Sequence, residues 1–355
     1  MDYRITADDR ARFKRCRRQW DFASPNRRDL EPVGLADPAL PAAVMDALAV
    51  YYYPGTWDWP HELTYSLVQK ALARSLGEAE AMDQLESGVA LLHCYDAWAQ
   101  AVDDFAPMRI GHDLNVLVPD PREPGRGLST SDGSAVIYTC RVDLLAVDAA
   151  DEYWVVRHQI VADWQDTDAL VRDEQAIAAC WAWEQDYIGM EIAGTIHNEV
   201  RVGGPLDPQP AQQTDGTPKV VAQHEPSGGG RSIPQHVRAS AQASRPDSDD
   251  RTEQRTAGVL RRTRIRRTRN EIGAVGPMIG AEVVDMIEDP AISPTFAAHC
   301  DVCEFRGPCL AMTGGSDPEP LLASDFRRRP VVNRPKPRLG QATWGFGRGA
   351  APPQW

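Results

Sequence analysis

Apolar residues recur at three- and four-residue intervals through the first third of the chain, which is the spacing of one buried helix face. The pattern predicts four helices, over residues 3–20, 37–54, 62–76 and 78–104. Thr6 precedes Ala-Asp-Asp and is a suitable N-cap for the first helix, and Pro54-Gly55 would end the second. We therefore expect an N-terminal helical region.

From Met108 the pattern changes to short runs rich in Val, Ile and Leu that are bounded by turn residues. Three strands are predicted, one starting at Met108 and two over 135–147 and 152–161, with Asp148-Ala-Ala-Asp151 as a hairpin turn. Further elements are a helix over 168–187, a strand over 191–202 and a helix over 270–287. The order predicts an α/β protein in which helices flank a mixed sheet.

Between the last predicted strand and the last predicted helix, the chain is dominated by Pro, Gln, Ser, Gly, Asp and Arg. Such a segment buries too little apolar surface to offset its ordering entropy, so we expect 206–257 to be a disordered insertion. Residues 1–205 would then hold the N-terminal helices and the sheet core. Residues 258–325 would complete the same domain, and 326–355 would be a disordered tail.

The formal net charge of −13 argues against indiscriminate nucleic-acid binding, but the positive charge is grouped. Basic groups lie at Arg10–Arg18, Arg255–Arg269 and Arg327–Arg338. The chain has no apolar run long enough to span a bilayer, and the residues after Met1 contain no apolar signal core. A cytoplasmic protein with no membrane partner is expected.

Four of the seven cysteines look like one metal site. They are Cys16, which lies between basic residues, and Cys300, Cys303 and Cys309, which lie close together. Thiolates suit iron–sulfur clusters and zinc equally well, and the spacing does not choose between them. The remaining cysteines stand singly in apolar surroundings and are expected to be buried: Cys94, Cys140 and Cys180.

The order of elements, together with the cysteine frame, resembles the PD-(D/E)XK nuclease superfamily. The similarity is greatest to its RecB-like and AddB-like branch, which includes exonucleases that carry a four-cysteine iron–sulfur cluster. The resemblance implies a restriction-endonuclease-like mixed sheet and a C-terminal cysteine-cluster segment. It also implies a [4Fe-4S] cluster on the four cysteines, with zinc as the rival, and DNA as the partner.

In that family, acidic residues on successive strands and an Asp/Glu-x-Lys motif bind Mg²⁺ or Mn²⁺, because hard divalent ions prefer oxygen ligands. Asp143 in Arg-Val-Asp-Leu-Leu matches the second-strand aspartate, and Asp113 could supply the earlier acid. On the third strand, Arg157 stands in place of the acid and Gln159 in place of the lysine. A cation at a ligand position opposes the binding of a divalent metal.

Other family positions are also altered. Met45 stands where a histidine is expected on an early helix, and Gln175 begins a Gln-x3-Tyr motif in which Ala179 replaces the tyrosine. A shifted register through Asp163 and Gln165 restores the acid but not the lysine. The chain has four lysines, none within this sheet.

We therefore interpret the chain as a DNA-binding, iron–sulfur-containing protein with degenerate or lost phosphodiesterase activity, acting in DNA repair, recombination or defence. Its expected DNA contacts are Gln175, Arg261, Arg262, Arg264, Arg266 and Arg267. One alternative is an active Mn²⁺- or Mg²⁺-dependent exonuclease that uses Asp113, Asp143 and either Asp163 or His158. Another is a metal-stabilised protein-interaction module. A protein partner in a DNA-processing complex fits each interpretation.

Overall fold

The chain divides into two compact units. The sheet unit comprises Met1–Arg15 and Leu35–Ala291, and the cysteine unit comprises Cys16–Gly34 and Ile292–Trp355. The structure is a computed structural model. It describes residues 2–34, 39–76, 82–201, 212–213, 252–288 and 290–329.

Both units contain strands and helices. The strands are β1 (Tyr3–Ile5), β2 (Leu30–Pro32), β3 (Phe105–Leu117), β4 (Val136–Asp148), β5 (Tyr153–Val161), β6 (Ile192–Arg201), β7 (Gln212–Gln213), β8 (Thr252–Ala257), β9 (Leu260–Arg266) and β10 (Phe326–Arg328). The helices are α1 (Ala7–Arg15), α2 (Arg17–Ala23), α3 (Ala39–Tyr51), α4 (His61–Leu76), α5 (Met82–Val102), α6 (Thr167–Val171), α7 (Glu174–Asp186), α8 (Arg269–Ile287), α9 (Arg306–Thr313) and α10 (Glu319–Asp325).

The sheet unit contains a mixed sheet, which has eight strands among the described residues. Its strand order is β1-β4-β5-β6-β9-β8-β7, and β3 pairs with the other edge of β4. The β1–β4 and β5–β6 pairs are parallel, whereas β4–β5, β6–β9 and β8–β9 are antiparallel. The predicted α/β architecture with helices flanking a mixed sheet is confirmed.

The two faces of the sheet contact different helices because side chains alternate along each strand. On β5, Trp154 and Val156 belong to an apolar core that includes residues of α3, α4 and α5. Arg157, one position further on, instead donates hydrogen bonds to Asp173 and Gln175 at the start of α7. Helices α3–α5 and helix α7 therefore lie on opposite faces of the sheet.

Helix α8 begins with a capping box and packs closely against α7. The Thr268 side chain accepts a hydrogen bond from the Glu271 backbone N–H, and the Glu271 carboxylate accepts one from the Thr268 N–H at 2.6 Å. A Cβ at Gly276 would lie 2.8 Å from Nε1 of Trp181, so a side chain there would force the contact apart. The apolar face of α8 repeats at helical spacing through Ile272, Val275, Ile279 and Val283.

The cysteine unit is small and has its own apolar cluster. Antiparallel pairing of β2 with β10 forms a second, two-stranded sheet. The rings of Phe22 and Phe305 lie 5.1 Å apart, and those of Phe305 and Phe326 lie 4.8 Å apart. These three side chains are buried with Ala23 and Leu322, and Cys303 packs against them.

Several predicted elements are confirmed with small shifts in their ends. Helices α4 and α5 occupy the predicted regions, although residues 77–81 lie outside the described part of the chain. Strands β4 and β5 form the predicted hairpin, with Tyr153 opposite Val147. The helix predicted over 168–187 is divided into α6 and α7, because Asp173 is extended and caps α7.

The N-terminal helix prediction needs correction. Tyr3–Ile5 is a strand that pairs with β4, and the following helix is interrupted at Cys16. Cys16 adopts an extended conformation, with φ −162° and ψ 112°, and is the N-cap residue of α2. The apolar stripe through Phe13 and Trp20 continues across this break, so the spacing alone did not indicate it.

The predicted disordered segments also need correction at their ends. Strands β7 and β8 lie inside the predicted insertion of 206–257. Strand β10 lies inside the predicted tail because Phe326 packs on Phe305. Most other residues of the insertion and the tail lie outside the described residues.

No helix among the described residues is both long enough and apolar enough to cross a membrane.

Candidate functional site

Asp143 lies in a part of β4 that is left unpaired between two neighbouring strands, β1 and β5. Strand β3 pairs along one edge of β4. On the other edge, β1 pairs with Val136–Tyr138 and β5 pairs with Leu144–Val147. Residues 139–143 have no strand partner on that edge, and the Asp143 carboxylate accepts a hydrogen bond from the His158 backbone N–H at 3.1 Å. The side chain therefore occupies the point where β4 and β5 separate.

The surroundings of the Asp143 carboxyl are partly apolar and partly cationic. Burial raises its pKa, while the hydrogen bond from His158 and the charges of Arg157 and Arg141 act in the opposite direction. The guanidinium groups of Arg157 and Arg141 thus act against the effect of burial on this carboxyl, and burial is the larger of the two effects.

A cavity of about 100 Å³ opens beside Asp143. It is lined by residues of α3 and by residues of β3, β4 and β5, among them Met45, Asp46, Tyr52, Gly111, Arg141, Asp143 and His158. The structure therefore brings Met45, which we compared with a histidine position in the sequence, into the same cavity as Asp143. Asp46, which the sequence analysis did not single out, lines this cavity too.

Asp113 does not line the Asp143 cavity but is hydrogen-bonded to Arg141, which does. It lies opposite Arg141 in the β3–β4 register, and its carboxylate accepts a hydrogen bond from Arg141 Nη1 at 3.1 Å. Gly111 has φ +52°, and a Cβ there would meet Nη2 of Arg141 at 2.6 Å. The glycine thus leaves room for Arg141, which joins Asp113 to the cavity that Asp143 lines.

Arg157 and Gln175 are brought together on the face that α7 covers. Arg157 Nη2 donates to Oε1 of Gln175 at 2.9 Å, and Nη1 forms an ion pair with Asp173. Asp173 also accepts hydrogen bonds from the first backbone N–H groups of α7. Gln159 faces the same side, and its buried Oε1 has no hydrogen-bond partner among the described residues.

His158 lies on the opposite face from Arg157. Its ring stacks on Tyr52 with centroids 5.3 Å apart, and its Nδ1 is 3.4 Å from Nδ2 of Asn198. Burial lowers the pKa of His158 to about 3, and the nearby Arg262 acts in the same direction. His158 is therefore neutral at physiological pH. Asp163 is exposed beyond the end of β5 and does not line the Asp143 cavity.

The five arginines predicted to contact DNA lie on β9 or directly after it. Arg261 is paired with the fully buried Glu199, and Arg262 with Asp103 at 2.7 Å. The other three have protein partners too: Arg264 with Asp104 and Asp148, Arg266 with Glu152, and Arg267 with the carbonyl of Leu170. A phosphate contact by Arg261, Arg262 or Arg267 would require a buried side chain to leave its partners.

The four predicted metal-ligating cysteines all belong to the cysteine unit, where they line one cavity of about 150 Å³. Its other lining residues include Arg18, Phe22, Thr295, Phe296, His299 and Leu310. None of the four forms a disulfide. Burial raises the pKa of the Cys303 thiol, and charges on Cys16 and Cys309 act in the same direction, because these groups are neighbours.

Backbone and side-chain donors surround the four sulfurs. The Thr295 N–H points to Sγ of Cys16 at 3.5 Å, and Arg18 Nη1 lies 3.7 Å from Sγ of Cys309. Cys300 Sγ donates to the Thr295 carbonyl at 3.7 Å. As placed, no three His, Cys, Asp or Glu side chains of the described residues form a ready ligand group for a metal ion.

The three remaining cysteines are buried as expected: Cys94, Cys140 and Cys180. Burial raises the pKa of Cys140 and of Cys180 to about 12, so both remain protonated and unreactive.

Arg18 and His299 were missed as site residues in the sequence. Each is next to or near a predicted cysteine ligand, but proximity in sequence does not show which side chains enter a cavity. Arg18 follows Cys16 by two positions on α2, and His299 directly precedes Cys300. Only the folded arrangement shows that both line the cavity.

Comparisons with known proteins add little to this picture. No family model matches the chain, and no curated protein matches it. Among solved structures, the crystal structure of SSO0001 is similar at 9% identity and a TM-score of 0.29, over 77% of this chain and 86% of that chain. A likeness at that level supports no conclusion about fold or function. What the described residues define is an α/β protein with a mixed sheet and two separate candidate sites.

Proposed function

We propose that this chain is a DNA-binding protein with a RecB-like PD-(D/E)XK nuclease fold, an iron–sulfur cluster and degenerate or lost phosphodiesterase activity. It would act in DNA repair, recombination or defence, together with a protein partner in a DNA-processing complex. The observation that carries the proposal is the position of Asp143. It lies where β4 and β5 separate, with Arg157 and Arg141 near its carboxylate.

The loss of catalysis follows from the charges around Asp143. Hydrolysis by this family requires one or two divalent ions held by carboxylates, and a lysine that assists the attacking water. Arg157 contributes a cation where a carboxylate is required, and its ion pair with Asp173 keeps it in place. Gln159 cannot supply the charge of a lysine. A divalent ion would have to overcome the repulsion of a nearby guanidinium group.

The cysteine cavity supports an iron–sulfur cluster. Four thiols line one cavity of about 150 Å³, and four thiolates are the ligand set of a [4Fe-4S] centre. We propose Cys16, Cys300, Cys303 and Cys309 as its ligands, with zinc as the rival. When bound, the cluster would cross-link segments that are distant in sequence and could exchange one electron.

DNA contacts are proposed mainly for exposed cations near the Asp143 cavity. Arg141 lines that cavity, and 42% of its side chain is exposed. Arg266 is the most accessible of the five β9 arginines that we expected to contact DNA, with 49% of its side chain exposed. Contacts of this kind go to phosphates, so binding should weaken as salt concentration rises and should be insensitive to sequence.

A combined cleavage and binding assay tests this proposal. Anaerobically purified protein is incubated with labelled single- and double-stranded DNA in Mn²⁺ or Mg²⁺, alongside Asp143→Ala. We expect no cleavage, and binding that falls with salt. Arg141→Ala should weaken binding, whereas Arg126→Ala, which removes an exposed arginine outside the Asp143 cavity, should have little effect. The absence of DNA binding would contradict the proposal.

The same assay decides for or against one alternative, an active Mn²⁺-dependent exonuclease with an altered site. The observation that favours it is the Asp143 cavity, which also contains Asp46 and His158. Two carboxylates and a neutral imidazole are acceptable ligands for Mn²⁺. Cleavage that disappears in Asp143→Ala would establish this alternative.

A further inference from the structure

Two buried nitrogen atoms in the cysteine cavity have no hydrogen-bond partner among the described residues. They are Nε of Arg18 and Nε2 of His299, and both side chains line the cavity together with the four cysteines. Burying a polar group without a partner is unfavourable, and in folded proteins most such groups are paired. Nε of Arg18 is a donor, and Nε2 of His299 is one in the tautomer that carries its proton there, so the two nitrogens are suited to an acceptor that the described residues do not provide.

Arg18 is held in place by its other contacts. Its Nη1 donates to Oγ1 of Thr313 at 3.0 Å and to the carbonyl of Cys309 at 3.3 Å, and it lies 3.7 Å from Sγ of Cys309. The guanidinium group is therefore fixed against one of the proposed ligands. Its charge is permanent over the whole physiological pH range.

We propose that Arg18 and His299 donate hydrogen bonds to the sulfurs of the bound cluster and thereby raise its reduction potential. This inference rests on the cluster assigned under the proposed function, and it goes beyond a structural role for that cluster. Core sulfides carry partial negative charge and accept hydrogen bonds, and such bonds are one of the ways in which a protein sets the potential of a cluster. The two unpaired N–H groups would then have acceptors.

The direction of the effect follows from the charge balance. If the cluster accepted one electron from a low-potential one-electron donor, that donor would be oxidised by one electron, and no proton would move or bond break. The reduced cluster would be more negative than the oxidised one. The guanidinium group of Arg18 and an N–H of His299 would therefore stabilise the reduced form more than the oxidised form.

A redox titration monitored by EPR tests the proposal on the anaerobically purified full chain. We expect the ratio of reduced to oxidised cluster at a fixed potential to fall about tenfold in Arg18→Met, as expected for loss of one charge-assisted hydrogen bond. In Arg18→Lys this ratio should lie between those of Arg18→Met and the unmodified protein. His299→Leu should lower the ratio less than Arg18→Met does. In His299→Gln, which retains an N–H donor, the ratio should stay closer to that of the unmodified protein.

The matched control is Arg17→Met. Arg17 lies on the same helix and has the same charge, but its side chain does not line the cavity. An equal shift in Arg17→Met and Arg18→Met would show that general charge, not a hydrogen bond, is responsible, and would overturn the proposal. Unchanged potentials in both Arg18→Met and His299→Leu would overturn it as well.

Iron and acid-labile sulfide are measured on the same samples, so that the two proposals can fail separately. Protein that contains zinc and neither iron nor sulfide would refute the cluster itself, and the inference about Arg18 and His299 with it. Protein that contains iron and sulfide, with potentials that do not respond to Arg18→Met and His299→Leu, would leave the cluster assignment intact and refute this inference alone.

Discussion

Asp143 combines two features that rarely occur together at a structural carboxylate. It is held at the point where two strands separate, and burial raises its pKa above the ordinary value of 3.8. A carboxyl with a raised pKa in the folded state favours folding only while it is protonated. The contribution of Asp143 to the free energy of unfolding is therefore fully present below the unfolded-state pKa, and it is lost as pH rises through the folded-state pKa.

Asp143→Asn should consequently increase the free energy of unfolding at pH 7, because it removes a carboxylate whose charged form is disfavoured by burial. The asparagine keeps an oxygen that can accept the His158 N–H but removes the buried charge. Urea denaturation at pH 4 and pH 7 measures the effect, which should shrink at the lower pH.

Asp113→Asn is the matched control for this prediction, because 60% of the Asp113 side chain is exposed. Its free energy of unfolding should change by no more than about 0.5 kcal/mol. A clear loss of stability in Asp143→Asn at pH 7 would mean that the charge of the carboxylate is needed in the folded protein, for example to hold a metal.

At the residue scale, the sequence predicted that Asp143 lies on one strand and that Arg157 and Gln159 lie on the next, because strand patterns are local, and the structure places them on β4 and β5. The sequence did not allow the prediction that Arg157 would pair with Asp173, since that pairing depends on where α7 begins. Nor did it identify Arg18 and His299 as cavity residues. The direction in which such a side chain points relative to other segments depends on tertiary packing, which the sequence pattern does not give.

At the scale of elements, β9 shows why Arg261 and Arg262, two of the residues expected to contact DNA, are buried. Both edges of β9 are paired, with β6 and with β8. Arg261 and Arg262 lie buried beside carboxylates that come from distant parts of the chain, Glu199 and Asp103, whereas Arg266 on the same strand is half exposed. Basic residues in sequence indicate a basic surface only when their acidic partners are not found elsewhere in the fold.

Arg262→Ala should destabilise the protein by about 3–5 kcal/mol, because it leaves the carboxylate of Asp103 buried without its cation. Arg262 also donates to Asn198 at 2.8 Å and to the carbonyl of Val102 at 3.0 Å, and both contacts would be lost. The free energy of unfolding in urea gives the measurement.

Arg266→Ala provides the comparison, since this arginine is half exposed and pairs with Glu152 at the surface. Its removal should cost no more than about 1 kcal/mol. Equal losses in the two variants would contradict the buried position of Arg262. Strand β9 would then have to be more accessible than the structure shows.

The whole molecule consists of two units, and the cysteine unit is small, with five side chains in its buried apolar cluster. A core of that size supplies little stability by itself, so small domains commonly depend on metals or disulfides. The close spacing of Cys300, Cys303 and Cys309 is a local pattern that the sequence shows, whereas the position of Cys16 in the same cavity depends on the fold. The division into two units could not, because it depends on contacts between segments nearly 300 residues apart.

Cys303→Ala should abolish visible absorbance from the cluster and lower the yield of folded protein. It removes one of four proposed ligands and exposes the cysteine unit to local unfolding. Limited proteolysis should then cut within 292–329 before it cuts the sheet unit. Cys140→Ala removes a buried cysteine of the sheet unit and should retain the absorbance. A coloured, protease-resistant Cys303→Ala protein would refute the ligand assignment.

We propose above all that arginine charge has replaced a divalent metal beside Asp143. The most direct test is a titration of Mn²⁺ into the protein, with free and bound ion distinguished by EPR, for the unmodified chain and for Asp143→Ala. We predict that the two proteins bind the same amount of Mn²⁺, because neither holds the ion at this site. One additional Mn²⁺ bound by the unmodified chain and absent from Asp143→Ala would contradict the account.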